Sequence, residues 1–276
     1  MAERYAILDM MNLAYRSWYA LNFTYKGAAP RLDFVFSSLI RTCKKLENDL
    51  CADTMVFCFD GGYDFRKSVY PEYKQNRKTE ELREELKLNR QLFHSEIELL
   101  RTLHLPAMGA ANVFWAKGFE ADDLIASCVR NLDVAKKVYI VSTDEDLYQL
   151  IEGTRVVVYK PSTQTVFSEE DFRMAFSDLP PCLYASAKAW AGCSSDGIPG
   201  LPRVGMKTAC KFVNGHNRGR EDWWDHLDIY NRNIQLVKLP APGTPKCVPV
   251  PQGTPIAWDE LLKNIERSAT PRGMKK

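Results

Sequence analysis

Hydrophobic positions along this chain fall into two patterns, short continuous runs and longer stretches with helical spacing. The continuous runs are β-branched or aromatic and bounded by polar residues, at 5–8, 55–59, 138–141 and 156–159. Runs of this kind predict buried strands, whereas the spacing of apolar residues over 36–50 and 121–132 predicts helices. Strands that alternate with helices predict an α/β fold, with a mainly parallel central sheet flanked by helices.

The pattern changes after Pro180-Pro181, where short helices and turns rich in glycine and proline replace the long apolar runs. Six prolines lie between 240 and 255, too many for a helix or a central strand, so this stretch predicts an extended arm. An amphipathic helix is expected from about Trp258 to Arg267. We therefore expect a core at 1–180 and a smaller region at 181–276.

A highly charged helical stretch at 79–104 has two interpretations. Its acidic and basic residues crowd around one stripe of apolar positions. A solvent-exposed helix face explains such a run, as does a mobile helical element above a functional site. The pattern favours neither.

Composition narrows the class of protein. The 276 residues are 45% hydrophobic and 26% charged, which is typical of a folded globular protein. Eight cysteines form no C-x-x-C pair, as expected for reduced thiols rather than disulfides or structural zinc. The start lacks the apolar segment of a secretory signal, and no apolar run is long enough for a membrane span. We expect a monomer without a membrane partner.

Acidic residues follow the predicted strands or begin the helices after them. They are Asp9, Asp60, Glu120, Asp122, Asp123, Asp144, Asp146 and Asp196. Each alone is explained by a turn or a helix N-terminus. The carboxyl ends of parallel strands share one edge, however, and carboxylates packed there repel one another and require a counter-charge. Hard divalent cations supply it, and two such ions can stabilise the attacking and leaving oxygens of a phosphodiester. The set predicts metal-dependent phosphoryl chemistry.

Two basic segments flank these acids. The segment from Arg66 to Lys78 interleaves cations with aromatic rings, which suits phosphates and unpaired bases, although a polar surface loop is the alternative. The second, at 203–220, holds five basic residues and no acid, a local charge of +5 that the overall +2 conceals. It follows a glycine- and proline-rich turn that leads into a helix from about Met206, and such a turn presents backbone N–H groups to phosphate.

In this order, the segments resemble the 5′-nuclease family, which includes phage-type flap endonucleases and the 5′→3′ exonuclease domain of bacterial DNA polymerase I. The resemblance covers about positions 5 to 240. The matching segments are 9–16, 59–60, 65–66, 70–77, Glu120-Ala-Asp-Asp123, 142–147, 195–209 and 231–240. It implies a PIN-like nuclease core, a helical arch at about 66–104 and a helix–three-turn–helix region at about 182–214.

The resemblance also implies roles for single residues. A first metal site would involve Asp9, Asp60, Glu120 and Asp122, and a second Asp123, Asp144, Asp146 and Asp196. Lys74 and Arg77 would act on the scissile phosphate at the base of the arch, and Tyr73 would stack on the terminal nucleobase. The implied DNA-binding residues are Arg16, Arg66, Tyr73, Arg203, Gly205, Lys207 and Lys211. The implied cofactors are two or more Mg²⁺ ions, with Mn²⁺ as an alternative, and a K⁺ ion in the loop of the helix–three-turn–helix.

Two positions depart from the family pattern. Cys193 stands where the family has aspartate, and a mostly protonated thiol is a poor ligand for Mg²⁺. We expect a weaker second metal site that favours Mn²⁺. Arg203 stands where the family tends to have glycine, which alters the K⁺ loop and adds a phosphate-binding cation.

The resemblance implies a structure-specific 5′ nuclease, acting on DNA with 5′ flaps or ends and on RNA primers. It would serve replication beside unidentified replication proteins, in the cytoplasm of a bacterial or phage-infected cell. Two alternatives stay open. One is a junction-binding protein with weak catalysis, which the cysteine at 193 makes conceivable. The other is an RNA-cutting nuclease with the same core, although the basic region after Pro181 favours duplex DNA.

Overall fold

Six strands form the central sheet of the computed structural model, which describes residues 3–24, 31–75, 84–216 and 221–268. They are β1 (Arg4–Asp9), β2 (Thr54–Phe59), β3 (Asn112–Trp115), β4 (Lys137–Val141), β5 (Val156–Lys160) and β6 (Thr165–Phe167). Their order in the sheet is β3-β2-β1-β4-β5-β6, with β1 to β5 parallel and β6 antiparallel to β5. The predicted mainly parallel α/β sheet is confirmed, and its central strand β1 lies between β2 and β4.

Helices connect the strands and continue after them. They are α1 (Met10–Thr24), α2 (Leu32–Asp49), α3 (Asp64–Val69), α4 (Glu84–Leu99), α5 (Leu105–Ala107), α6 (Ala121–Asn131), α7 (Glu169–Ala175), α8 (Tyr184–Ala191), α9 (Met206–Val213), α10 (Leu227–Val237) and α11 (Trp258–Ser268). A π-helical turn at Leu100–His104 joins α4 to α5. A small hairpin, β7 (Gly192–Cys193) and β8 (Ile198–Pro199), follows α8. In the described ranges, no helix is long and apolar enough to cross a lipid bilayer.

The continuous apolar runs of the strands are buried on both faces of the sheet. In β1, Tyr5 and Ile7 belong to the apolar cluster that contains α6 and α8, whereas Ala6 and Leu8 face the cluster that contains α1, α2 and α11. Alternate side chains of a strand point to opposite faces, so a strand covered on both sides must be apolar throughout. The first cluster also includes Trp223, so residues on both sides of position 180 share one core.

The proline-rich stretch forms the expected arm, since residues 241–257 contain no helix or strand. At the start of β3, the Asn112 side chain donates to the Val250 carbonyl at 2.8 Å and accepts from the Val250 N–H at 2.7 Å. The amphipathic helix after the arm is confirmed as α11. Of the predicted arch at 66–104, residues 76–83 lie outside the described residues, and α3 and α4 stand on either side of them. The division of the chain at 180 stays a prediction.

Candidate metal centre

Five of the eight predicted carboxylates line one cavity of about 780 Å³ at the carboxyl edge of the sheet. They are Asp9, Asp60, Glu120, Asp122 and Asp144. The fold explains the convergence, because Asp9 ends β1, Asp60 follows β2, and Asp144 follows β4, which are neighbouring parallel strands. The first turn of α6 adds the other two. A second cavity of about 790 Å³ shares Asp60 and Glu120 and extends to α4.

Hydrogen bonds to backbone and side chains fix these carboxylates. Asp9 accepts from the Asn12 N–H at 3.0 Å and from the Ser142 hydroxyl at 2.9 Å. Ser142 Oγ also accepts from the Asp144 N–H at 3.0 Å, so one hydroxyl links the ends of β1 and β4. Asp60 accepts from the Ala121 N–H at 2.7 Å, at the N-terminus of α6.

The carboxylates destabilise one another's charged forms. Burial raises the pKa of Asp9 to about 7, and the charges of Asp60 and Asp144 contribute. Burial followed by the charge of Asp144 and of Asp9 raises the pKa of Asp122 well above its ordinary value. An all-oxygen donor set with this excess of negative charge fits a hard divalent cation. Among the described residues, no three acidic, histidine or cysteine side chains converge tightly enough to coordinate one ion.

Lys74 brings a cation into the acidic cavity. Its Nζ pairs with Glu120 Oε1 and lies 3.8 Å from Asp196 Oδ1. Its backbone N–H donates to the Asp196 carbonyl at 2.9 Å, and its φ of 57° is unusual for a residue with a side chain. These contacts hold the ammonium beside the carboxylates, where the resemblance implies a catalytic lysine. Arg77, the other predicted catalytic residue, lies outside the described residues.

Arg66 and Asp123 do not line the cavity, although Arg66 Nη1 lies 3.1 Å from Glu120 Oε2, which does. Burial contradicts the predicted contact of Arg66 with DNA, and the metal role of Asp123 stays a prediction. Arg66 is 3% exposed and Asp123 0%, and the guanidinium binds the carboxylate through two contacts of 2.6 and 2.9 Å. Asp123 also accepts from the backbone N–H groups of Glu120 at 3.2 Å and Ala241 at 2.8 Å. Both carboxylate oxygens of Asp123 therefore accept hydrogen bonds from the protein, and the ion pair connects α3, α6 and the arm.

Tyr73 is likewise buried, which contradicts its predicted stacking on a nucleobase. The side chain is 3% exposed, and its hydroxyl donates to Glu120 Oε2 at 2.9 Å and lies 3.4 Å from Asp196 Oδ2. Burial and the charges of Glu120 and Asp196 raise its pKa, so it remains a neutral donor. Its ring packs within an apolar cluster that includes Ile198 and Leu236. Tyr73 therefore positions a carboxylate of the cavity and offers no free ring face.

Of the predicted second set of ligands, Asp144 is the one that lines the main cavity, and the second metal site stays a prediction. Asp144 lies on the main cavity, Asp196 is buried behind Lys74, and Asp146 pairs with the Nζ of Lys188. Cys193 is half-buried, with its Sγ 3.1 Å from Ser195 Oγ. The sequence interpretation missed Lys188. Lys188 is the one charged residue of α8, which was a signal, because a buried lysine requires a partner of opposite charge.

Other basic residues lie where a nucleic acid could reach them. Arg16 is exposed and lines the main cavity. Arg203, Lys207 and Lys211 are exposed around α9, and Gly205 precedes the first turn of this helix.

Residues that the sequence interpretation did not single out line the cavity as well. Arg90 of α4 contributes to both cavities. His94 lies one turn further along α4, with its Nε2 3.2 Å from the hydroxyl of Tyr15. The described part of the charged stretch at 79–104 therefore lines the cavities, and its mobility stays a prediction.

Comparisons with known proteins agree with this architecture. Residues 4–177 match the family described as 5′-3′ exonuclease, N-terminal resolvase-like domain. The chain is 28% identical to the 5′-3′ exonuclease of Mycoplasmopsis pulmonis over 231 residues, 83% of this chain and 72% of that protein. It is 32% identical to DNA polymerase I of Mycobacterium tuberculosis over 216 residues, 75% of this chain but only 22% of the polymerase. The chain thus spans less than a quarter of that relative.

Solved structures show the same fold. The T5 D15 protein co-crystallised with metal ions superposes with a TM-score of 0.71 at 22% identity, over 97% of this chain and 100% of that one. The catalytic core of Rad2 in complex with a DNA substrate superposes with a TM-score of 0.55 at 15% identity, over 97% of this chain and 88% of that one.

Proposed function

Because the chain belongs to the 5′-3′ exonuclease family, we propose that it hydrolyses phosphodiesters of DNA at 5′ ends and at junctions between a 5′ single strand and a duplex. The observation that carries this proposal is the convergence of five carboxylates and Lys74 on one cavity. Removal of 5′ flaps and RNA primers during replication, in a bacterial or phage-infected cell, would use this activity.

Divalent cations are the cofactors that this donor set favours. Asp9, Asp60, Glu120, Asp122 and Asp144 would hold two Mg²⁺ ions, with Mn²⁺ as an alternative. When bound, the ions would supply charge stabilisation and an acidified water. A structural neighbour supports a bound metal, since the T5 D15 protein was co-crystallised with metal ions. A K⁺ ion in the turn before α9 stays a prediction.

Lys74 would stabilise the substrate phosphate. Its ammonium lies beside Glu120 in a cavity rich in carboxylates. A phosphate oxygen that enters the cavity would accept from Nζ, and this contact would strengthen as negative charge develops on the phosphate. Arg16 and Arg90, which line the same cavity, would bind neighbouring phosphates without reading the base sequence.

Duplex DNA would contact the basic face of α9. Lys207 and Lys211 lie one turn apart on this exposed face, and Gly205 leaves the first N–H groups of the helix open, with no atom within 4 Å of a Cβ built there. Backbone donors and cations of this kind bind phosphates and fix the register of the duplex. The distance between α9 and the cavity would then determine where the strand is cut.

A duplex with a 5′ single-stranded flap, labelled at its 5′ end, tests the proposal. We expect cleavage near the junction in Mg²⁺ or Mn²⁺, none in chelator, and a loss of at least about 10³-fold in Asp144→Ala. Asp133→Asn is the matched control, because this exposed aspartate lies before β4, at the opposite edge of the sheet. Equal rates in Asp144→Ala and Asp133→Asn would refute the proposed site.

A junction-binding protein with weak catalysis is the second candidate. Asp123 and Asp146 are neutralised by Arg66 and Lys188, and Cys193 adds no carboxylate, so fewer ligands remain for a second ion. Tight binding of the flapped duplex without cleavage in either metal would establish this candidate. Cleavage of single-stranded RNA at the rate of the flap would instead indicate an RNA-cutting nuclease.

A further inference from the structure

Trp115 is a large aromatic side chain that the fold leaves exposed beside the candidate site. It ends β3, an outer strand of the sheet, and is 42% exposed. The register of β3 places it opposite Phe59, the residue before Asp60. Its indole Nε1 donates to the Asp60 carbonyl at 3.0 Å. The ring is therefore held at a fixed place relative to the backbone of Asp60, a residue that lines the carboxylate cavity.

A cation covers part of this ring. The guanidinium carbon of Arg101 lies 4.5 Å from the ring centroid of Trp115. Arg101 belongs to the π-helical turn after α4, and such turns are frequent at functional sites. Its Nη2 also pairs at 2.5 Å with Glu98, a residue that lines the cavity under α4. The cation–π contact thus joins the helix above the cavity to the strand below it.

The loops beneath the ring are locked together. The Gly61 N–H donates to the Phe119 carbonyl at 2.8 Å, and the Gly118 N–H donates to the Gly61 carbonyl at 2.7 Å. A Cβ at Gly61 would lie 1.8 Å from the Ala116 carbonyl oxygen, so only glycine permits this approach. The segments that follow Asp60 and Trp115 are therefore joined to each other by backbone hydrogen bonds.

These features suit one type of occupant. Aromatic faces joined to arginine bind unpaired nucleobases by stacking, and they do so without sequence preference. The sequence assigns stacking to Tyr73, but that ring is buried. We propose that Trp115 and Arg101 form a stacking platform for an unpaired base of the 5′ single strand whose phosphate occupies the carboxylate cavity. The proposal rests on the proposed function and adds to it a contact outside the metal ligands.

The platform is tested by measuring how tightly the protein binds flapped duplexes in chelator, which prevents metal-dependent cleavage. Fluorescence anisotropy would give the Kd of two substrates, one with natural bases in the flap and one with abasic flap residues. We expect Trp115→Ala to raise the Kd of the natural flap about ten-fold and to leave that of the abasic flap unchanged. Trp115→Phe keeps a stacking ring but loses the hydrogen bond to Asp60, and should stay within about three-fold of wild type.

Arg101→Gln and Met174→Ala complete the set. Arg101→Gln should weaken binding of the natural flap by about three-fold, because the ring keeps its face but loses its cation. Met174 is 73% exposed on α7 and lies outside both cavities, so Met174→Ala should bind both flaps as wild type does. An unchanged ratio of natural to abasic Kd in Trp115→Ala would overturn the platform.

Whether the wild-type protein cleaves the flap distinguishes the proposed nuclease activity from the stacking platform. If wild type cuts the flap and Trp115→Ala retains the preference for natural bases, the platform fails and the nuclease stands. If wild type never cuts but prefers natural bases through Trp115, the nuclease fails and the platform stands as a single-strand contact.

Discussion

Buried carboxylates occur in two regions of this fold, and they differ in the charges that face them. Asp123 is enclosed by a bidentate arginine and two backbone N–H groups. Asp9 is also buried, yet the charges nearest to it include the carboxylates of Asp60 and Asp144. The first arrangement is complete within the protein, whereas the second gains stability when a cation arrives. Burial alone therefore does not distinguish a candidate metal ligand from an internal ion pair, whereas the neighbouring charges differ between the two.

The largest expected effect comes from breaking the complete region. Arg66→Met leaves the Asp123 carboxylate buried without its cation, and should lower the free energy of unfolding by about 3–5 kcal/mol. Chemical denaturation in chelator measures this change. Asp9→Asn is the comparison, since it removes one of several repelling charges and should leave the free energy of unfolding equal or higher. A larger loss in Asp9→Asn than in Arg66→Met would reverse the contrast between the two regions.

A pH series sharpens the same contrast. The pKa of Asp9 is raised to about 7 in the folded chain, so between about pH 4 and 7 the folded state holds a proton that the unfolded state has released. Stability must therefore fall as the pH rises through this window. We expect wild type to lose about 3 kcal/mol relative to Asp9→Asn between pH 4 and 7 in chelator.

Two additions make the pH series decisive. Asp133→Asn should follow wild type, because Asp133 lies away from the cavity. Mg²⁺ should stabilise wild type more at pH 7 than at pH 5, since the ion competes with the proton for the same oxygens. Parallel stability curves for wild type and Asp9→Asn would show that Asp9 does not carry the pH dependence.

The smallest expected effect concerns Cys193. Cys193→Asp would add a carboxylate on the hairpin after α8. Asp146, another predicted ligand of the second ion, is already neutralised by Lys188. We expect the Mg²⁺ concentration for half-maximal cleavage to fall about three- to ten-fold, and the preference for Mn²⁺ to weaken. Cys193→Ser is the matched control, since it changes the atom without adding charge. If Cys193→Asp and wild type need the same Mg²⁺ concentration for half-maximal cleavage, this cysteine does not weaken a metal site.

Much of the fold and part of the site follow from local sequence. The runs at 5–8 and 55–59 are continuous and apolar because both faces of their strands are buried, so they were predictable from pattern alone. The acids at the carboxyl ends of these strands then meet because parallel strands share an edge. Strand β3 was not predicted, since it has four residues and only Asn112 among them is fully buried.

Pairing across long sequence separations was not predictable. Arg66 and Asp123 are 57 residues apart, and nothing near either residue marks it as a partner of the other. Tyr73 lies among cations that suggest an exposed surface, but the packing of α8 and α10 around it buries the ring. The acids that line the cavity and the acids of the internal ion pairs have the same local sequence pattern, and only tertiary packing distinguishes them.

The arm that crosses the start of β3 has a consequence for how this protein meets other chains. An outer strand offers a row of unpaired N–H and C=O groups, which is a template for aggregation through strand addition. The side-chain amide of Asn112 makes hydrogen bonds to both the N–H and the carbonyl of Val250, so the arm lies against the start of this edge without becoming another strand. Its prolines cannot donate the hydrogen bonds that a further strand would need. The arm therefore hinders strand addition at the start of this outer strand.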